Sequence, residues 1–259
     1  MFDYSRSPLV YTRRLRLIEA YDKTPSTMDA EPPLLPAAVL AAEQTRGRGR
    51  TGPWASPQGG AWLTVHIQAQ PPQGYPVAVA GCLAERLNRL LGRRILEVKW
   101  PNDIVDVGCR KLAGILVEHR GGRLRVGIGV NVHNPPPTPH AASLAQHGYQ
   151  GGIAEAALQA VEAALEALEE PRRCIAHAAR LDHLRGAEVE VEAPHGTVHG
   201  VALGVTAEGL LAVEAPAGTL ELACCHVKSH RHPASASRPQ PRPQPRPQRP
   251  ARGTRAPHP

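Results

Sequence analysis

Residues 76–91 constrain the chain more than any other stretch. Pro76 opens the run, where a proline suits a first helical turn, and Gly92 closes it. Between them Val77, Ala80, Leu83, Ala84, Leu87, Leu90 and Leu91 recur with the period of an α-helix, leaving one apolar stripe to bury. The neighbouring segments read as strands. Tyr11 to Tyr21 carries Leu15, Leu17 and Ile18, and Ala37 to Glu43 is an apolar run. Gly60 to Gln68 alternates Trp62, Thr64 and His66 with Leu63, Val65 and Ile67, as a half-buried strand does. Ile95 to Trp100 ends at Pro101, which holds Trp100 extended and blocks further ladder pairing. Asn102 and Asp103 are then presented at a strand end, with a loop running to Arg110. Lys111 to Glu118 and Leu124 to Val132 read as two strands around a Gly121-Gly122 turn.

The remaining punctuation is as informative. Three prolines between Glu31 and Pro36 keep any helix after Asp29 very short. Asn134-Pro135-Pro136-Pro137 breaks the strand pattern, and Ile153 to Glu170 and Pro171 to His183 read as helices. From Gly186 the texture changes to short strands, Ala187 to Glu192, Thr197 to Val205, Leu210 to Glu214 and Thr219 to Ala223, separated by glycine turns. Such spacing suits a small β-barrel or sandwich. The organisation is thus α+β: a loose N-terminus over 1–10, a main domain over 11–184, a β module over 185–230 and a Pro/Arg-rich tail over 231–259. That tail, too poor in apolar residues to bury a core, is expected to be disordered or polyproline-like.

The formal net charge of +7 suggests nucleic acid at first sight, but seven arginines and no lysine or acidic residue lie in the tail, so the rest of the chain is neutral. No cluster of aromatics offers a base-stacking platform either, with only nine aromatic residues in the chain. No DNA partner is expected. The five cysteines form no CxxC pair, and their odd number argues against a secreted disulfide framework; Cys224 and Cys225 would point to opposite faces of a strand. No apolar stretch is long enough to span a membrane, and residues 1–16 lack the apolar segment of a signal peptide. A cytoplasmic protein is the expectation.

The chemistry concentrates in four blocks. The first is Ser26-Thr27-Met28-Asp29, which also suits a helix cap. The second is Gln44-Thr45 with Gly47-Arg48-Gly49-Arg50 and Trp54-Ala55-Ser56-Pro57. Its glycines let the backbone lie against a ligand, and its arginines present planar donor forks to anions. The third is Lys99-Trp100-Pro101-Asn102-Asp103. The fourth is Arg110-Lys111-Leu112-Ala113-Gly114-Ile115-Leu116-Val117-Glu118, running on to Gly127-Ile128-Gly129-Val130-Asn131-Val132. Only four of the 30 basic residues are lysines, and two of those, Lys99 and Lys111, sit inside these blocks.

In order and spacing the four blocks resemble the biotin–protein ligase family over roughly residues 10–229. The resemblance implies a class II synthetase-like biotin/lipoate ligase catalytic domain, a mixed β-sheet flanked by helices, followed by an SH3-like barrel. It implies a reaction in two steps: biotin and ATP, with Mg²⁺, give biotinyl-5′-adenylate and pyrophosphate, and the adenylate then acylates a lysine of the carboxylase's biotin carboxyl carrier domain. Lys111 would reach both the biotin carboxylate and the α-phosphate, and Arg48, Gly49 and Arg50 would fold over the ligand and shield it from water. Ser26, Thr27 and Gln44, with Met28 beside them, would bind the ureido end of biotin. Trp54 would pack near the adenine, Lys99 would face the phosphates, and Gly114 and Asn131 would belong to the pocket. Asn102 and Asp103 would hold Mg²⁺ or orient the phosphates, with Asp103 also helping to deprotonate the incoming lysine. As plain structure, Asn102-Asp103 is a turn former and Asn131 a strand-end cap. With the match starting near the first residues, the winged-helix DNA-binding domain of some relatives is not expected here, and the glycine loop is shorter than the family pattern, with Pro53 near where an arginine often falls. The family includes monomers and dimers. The alternatives are a lipoate- or octanoate-attaching enzyme of the same fold and a catalytically dead biotin binder.

Overall fold

A computed structural model describes residues 14–135, 138–223 and 225–232. Seven strands form one sheet: β1 (Leu17–Thr24), β2 (Ala37–Gln44), β3 (Ala61–Gln68), β4 (Leu96–Lys99), β5 (Asp103–Asp106), β6 (Lys111–Arg120) and β7 (Arg123–Val130), in the order β1-β2-β3-β7-β6-β5-β4. β1 runs parallel to β2 and every other pair is antiparallel, so the sheet is mixed.

The helix read from the apolar period is α1 (Tyr75–Leu91). It ends as its sequence indicates: Gly92 adopts φ 64° and returns its N–H to the carbonyls of Arg89 and Asn88. α1 packs with α2 (Ile153–Glu169) and α3 (Pro171–Arg180) against one face of the sheet. A side chain at Gly81 would place its Cβ 2.3 Å from the Cys174 carbonyl oxygen, so glycine is what lets α1 and α3 approach. One residue on, Cys82 is joined to Cys174 by a disulfide across 92 residues. The spacing of the cysteines gave no sign of this pair, because it is the packing of α1 on α3 that brings them together.

β3 was expected to be half-buried, and it is buried at seven of its eight positions. One face meets the helical layer, while the other is covered by the short 3-10 turn Thr27–Asp29. The loop expected after Trp100 is also corrected. The chain turns at a cis Trp100–Pro101 bond and re-enters the sheet at once, with Lys99 opposite Asp103. The far end of β5 is fixed by the buried Asp106 carboxylate, which accepts from the backbone N–H groups of Gly108 and Arg110 and pairs with the Arg110 guanidinium at 2.7 Å.

The C-terminal unit is an antiparallel sheet of β8 (Glu188–Ala193), β9 (Gly196–Val205), β10 (Leu211–Ala215), β11 (Gly218–Leu222) and β12 (His226–Arg231), ordered β11-β10-β9-β8-β12. Where a barrel was expected, no pairing between β11 and β12 closes the sheet among the described residues. β12 was not anticipated, since His226-Val227-Lys228-Ser229-His230-Arg231 has a single apolar residue. It joins by pairing with β8, and only Val227 turns into the core. Arg231 therefore ends a strand; residues 1–10, Cys224 and the tail from residue 233 onward lie outside the described residues. The two sheets share one apolar core, and the buried Trp100 indole donates to the Gly209 carbonyl at 3.1 Å to join them. No helix among the described residues is long and apolar enough to cross a membrane.

Candidate active site

The site is built on a strip of missing side chains. On β7, Gly127 and Gly129 point to one face of the sheet, and Gly114 of β6 lies opposite Gly129. Without Cβ atoms this strip forms a floor, and a cavity of about 210 Å³ opens above it. The floor is not bare. Met28 rests on Gly127, where an added Cβ would come within 2.6 Å of its sulfur. The Trp54 indole lies over Gly114 and Gly129, where added Cβ atoms would meet it at 3.0 and 2.7 Å. Its ring edges against Trp62 at 6.4 Å. The buried Trp54 N–H finds no acceptor among the described residues, and such a group calls for a partner from a ligand or water.

Two chemical regions follow from the strand register. At the level of Gly127 lies a neutral polar cluster. Thr27 donates to the Gln44 side-chain oxygen from its N–H at 2.8 Å and from its hydroxyl at 3.1 Å. The Thr27 and Thr64 hydroxyls share a hydrogen bond of 2.8 Å, and the Gln44 amide donates to Ser56 at 2.9 Å. Ser26 caps the 3-10 turn by accepting from the Met28 N–H. Behind the cluster His66 is buried, and burial pushes its pKa down, so it backs the pocket as a neutral ring.

Across the floor, where Asp103 of β5 lies opposite Gly114, is a charged pair. Lys111 bonds Asp103 at 2.7 Å, and its ammonium sits 4.9 Å from the centroid of a Trp54 ring. Lys99 lines the same cavity and makes no ion pair among the described residues. Lys111 is held by its backbone, which donates to His140 and accepts from Ala142.

The loop from Gln44 to Trp54 closes the cavity as a lip. Gly49 N–H bonds the Gly52 carbonyl and Trp54 N–H bonds that of Gly47, so the loop is internally pinned. Arg48 forms a two-toothed pair with Glu118, at 3.0 and 3.2 Å, and reaches Asp29 at 2.8 Å and Ser26 at 3.3 Å. Arg50 instead bonds the Cys225 carbonyl at 2.8 Å, tying the loop to the C-terminal unit just before β12, whose His226 and Val227 also line the cavity.

Of the residues singled out from sequence, Ser26, Thr27, Met28, Gln44, Arg48, Gly49, Arg50, Trp54, Lys99, Asn102, Asp103, Lys111 and Gly114 all line this one cavity. Asn131 does not. Its buried amide donates to the Ala142 carbonyl at 3.0 Å and its oxygen accepts from Asn134, so it fixes the segment that holds the Lys111 backbone. Asn102 has its amide N–H committed to the Ile115 carbonyl at 2.8 Å. Sequence reasoning missed Thr64, read as one face of a strand, and Glu118, read as the end of one. The rarity of lysine drew attention to Lys99 and Lys111, and both line this cavity.

A mixed sheet with a glycine floor, a glycine-arginine lip and a Lys-Asp pair surrounds one cavity with a neutral polar region and a charged region. Comparison with known proteins agrees. Residues 25–134 match the model of the Biotin/lipoate A/B protein ligase family, and residues 186–237 match the Biotin protein ligase C terminal domain. The biotin--[acetyl-CoA-carboxylase] ligase of Mycobacterium tuberculosis is 31% identical over 196 residues, covering 68% of this chain and 72% of that one. The chain belongs to the biotin protein ligase family. The bifunctional ligase/repressor BirA of Escherichia coli is 38% identical over 106 residues, 37% of this chain, and the match spans only 32% of its length. Among solved structures, the biotin protein ligase of Aquifex aeolicus in complex with biotin and ATP superposes with a TM-score of 0.70 at 22% identity, covering 85% of this chain and all of that one.

Proposed function

We propose that the chain is an ATP-dependent biotin–protein ligase, forming biotinyl-5′-adenylate and passing the biotinyl group to a lysine of a biotin carboxyl carrier domain. The observation that carries this reading is the pairing, over one glycine floor, of a neutral hydrogen-bonding cluster with a lysine-bearing end across the same cavity. A ureido ring needs neutral donors and acceptors, and Thr27, Gln44, Ser26 and Thr64 offer both. The carboxylate at the other end of biotin then reaches the end that holds Lys111 and Lys99.

There one biotin carboxylate oxygen attacks the α-phosphorus of ATP and pyrophosphate leaves. Two anions approach each other, so cations must offset their repulsion; Lys111 and Lys99 supply that charge in a partly water-excluded site. In the second step a neutral lysine ε-amine attacks the acyl carbon, the acyl–phosphate bond breaks and AMP departs. Asp103, on the cavity wall beside Lys111, takes the proton lost by the amine. The donor set also suits Mg²⁺, which binds through one or two carboxylates together with substrate phosphates. Asp103 would be its protein ligand, whereas the committed amide of Asn102 leaves only an oxygen to offer. Bound there, the ion would neutralise phosphate charge.

The Arg48 pair to Glu118 and Asp29 supports a lip that shuts over the neutral end and slows loss of the water-sensitive adenylate. A lipoyl group, with its apolar dithiolane, would set an apolar ring against the polar Thr27–Gln44 cluster and make no use of its remaining hydrogen-bonding capacity. Thermal shift tests the choice: biotin with Mg-ATP should stabilise the protein more than lipoate with Mg-ATP, and the reverse order would refute the biotin reading.

A further inference from the structure

Away from the glycine floor, three side chains remote in sequence converge where the two sheets meet. Cys109 lies in the β5–β6 turn, His183 in the segment between α3 and β8, and His230 on β12. The Cys109 sulfur is 3.4 Å from the His230 Nε2, which is 3.2 Å from the His183 Nε2. All three donor atoms lie within 4.8 Å of one another. We propose that Cys109, His183 and His230 bind a Zn²⁺ ion that staples the C-terminal sheet to the catalytic domain.

The spacing fits that ion. Zinc binds thiolate at about 2.3 Å and imidazole at about 2.0–2.1 Å, and a tetrahedron with those bonds has N···N edges of about 3.3 Å and N···S edges of about 3.6 Å. The Cys109–His230 and His230–His183 separations match these to within about 0.2 Å. The donor chemistry fits as well, since one thiolate with two imidazoles favours Zn²⁺ over the oxygen-seeking Mg²⁺ and Ca²⁺.

The surroundings have the form of a prepared site. His183 is buried, and its Nδ1 lies 2.7 Å from the Glu97 carboxylate on β4. A carboxylate on Nδ1 fixes the tautomer that turns the Nε2 lone pair outward, which is the usual outer-shell arrangement of a zinc-bound histidine. Cys109 is equally fixed. Among the described residues it is the one non-glycine residue with positive φ, at 62°, and its N–H bonds the Asp106 carbonyl in a turn that the Asp106 carboxylate braces. His232 bonds the His183 carbonyl at 2.9 Å, so it packs on the group.

The ion would sit at one end of β12. The other end, at His226 and Val227, lines the ligand cavity, and the Cys225 carbonyl before it holds Arg50 of the lip. A staple on His230 would thus steady the strand on which the lip leans.

The test uses the full chain, purified without a histidine tag. Elemental analysis after exposure to Zn²⁺ and gel filtration should find one equivalent of zinc. Reconstitution with Co²⁺ should give the intense visible bands of a tetrahedral ion and a thiolate-to-cobalt charge-transfer band. C109S should lose that charge-transfer band and bind Zn²⁺ at least 100-fold more weakly. H230Q should weaken binding similarly, and E97Q should weaken it about 10- to 100-fold while keeping the band. Limited proteolysis should release the C-terminal unit faster in the zinc-free protein. Circular dichroism identifies any variant that has not folded; E97Q and the wild-type chain carry the test in that case. Substoichiometric zinc, a cobalt spectrum without thiolate character, or zinc affinity unchanged in folded C109S and H230Q would overturn the proposal.

Discussion

Lys111 faces the cavity because its strand begins there, its backbone is clamped between His140 and Ala142, and Asp103 holds its ammonium at 2.7 Å. Lys111→Ala should lower ATP–pyrophosphate exchange by about 10²- to 10³-fold, the usual loss for one transition-state charge partner. Exchange at the wild-type rate would remove Lys111 from the reaction. Gly129 makes a different point, because its role is an absence. Gly129→Ala pushes a methyl group into the Trp54 indole, 2.7 Å away, and into the space above the floor. The Michaelis constant for biotin should rise about tenfold, the equivalent of about 1.4 kcal/mol, alongside a stability loss of about 1–3 kcal/mol from the overpacking. Lysine at 99 and 111 was legible because the chain otherwise uses arginine. The role of Asn131 was not: an asparagine at a strand end reads alike whether it turns to a ligand or, as here, to Ala142. Nor could Cys109, His183 and His230 be grouped from sequence, since they share no spacing and meet only through tertiary packing.

At the level of elements, the glycine-arginine loop derives its position from carboxylates elsewhere. Glu118 at the end of β6 and Asp29 in the 3-10 turn both hold Arg48, which is one-third exposed. Screening limits such a pair to about 1 kcal/mol. Glu118→Gln should therefore speed release of the adenylate by roughly fivefold, the equivalent of that energy, as measured by chase with unlabelled ligand. An unchanged rate would show that the lip does not depend on this anchor. In the helical layer, Gly81→Ala drives a Cβ into the Cys174 carbonyl across the α1–α3 contact, a backbone atom that cannot turn aside. A loss of about 1–3 kcal/mol in urea denaturation is expected, with biotin affinity retained. Strong periodicity made α1 legible almost to the residue. β5 and β12 were illegible for opposite reasons: Pro101 argued for a strand end while the chain turned back through it, and β12 is too polar to show a pattern and forms because β8 presents an open edge.

On the scale of the whole molecule, the catalytic sheet and the C-terminal sheet behave as one body, because the buried apolar cluster runs through both and Trp100 bonds Gly209 across the join. Trp100→Phe leaves that buried carbonyl without its donor and should lower stability by about 1–2 kcal/mol. Unfolding should stay a single transition, coincident by far-ultraviolet circular dichroism and by fluorescence; two separated transitions would mean the units fold independently. Their mixed α+β character could be read from the change of texture at Gly186, whereas the Cys82–Cys174 bond and the contact between lip and C-terminal unit could not, being products of the assembled fold. The most direct test of the account is to incubate the full chain with biotin, Mg-ATP and a biotin carboxyl carrier domain and to weigh the carrier intact. The account predicts that the carrier gains the mass of one biotinyl group on a single lysine, only when ATP is present, and not with Lys111→Ala. A carrier of unchanged mass, or a lipoyl-accepting domain modified in its place when lipoate is supplied, would contradict it.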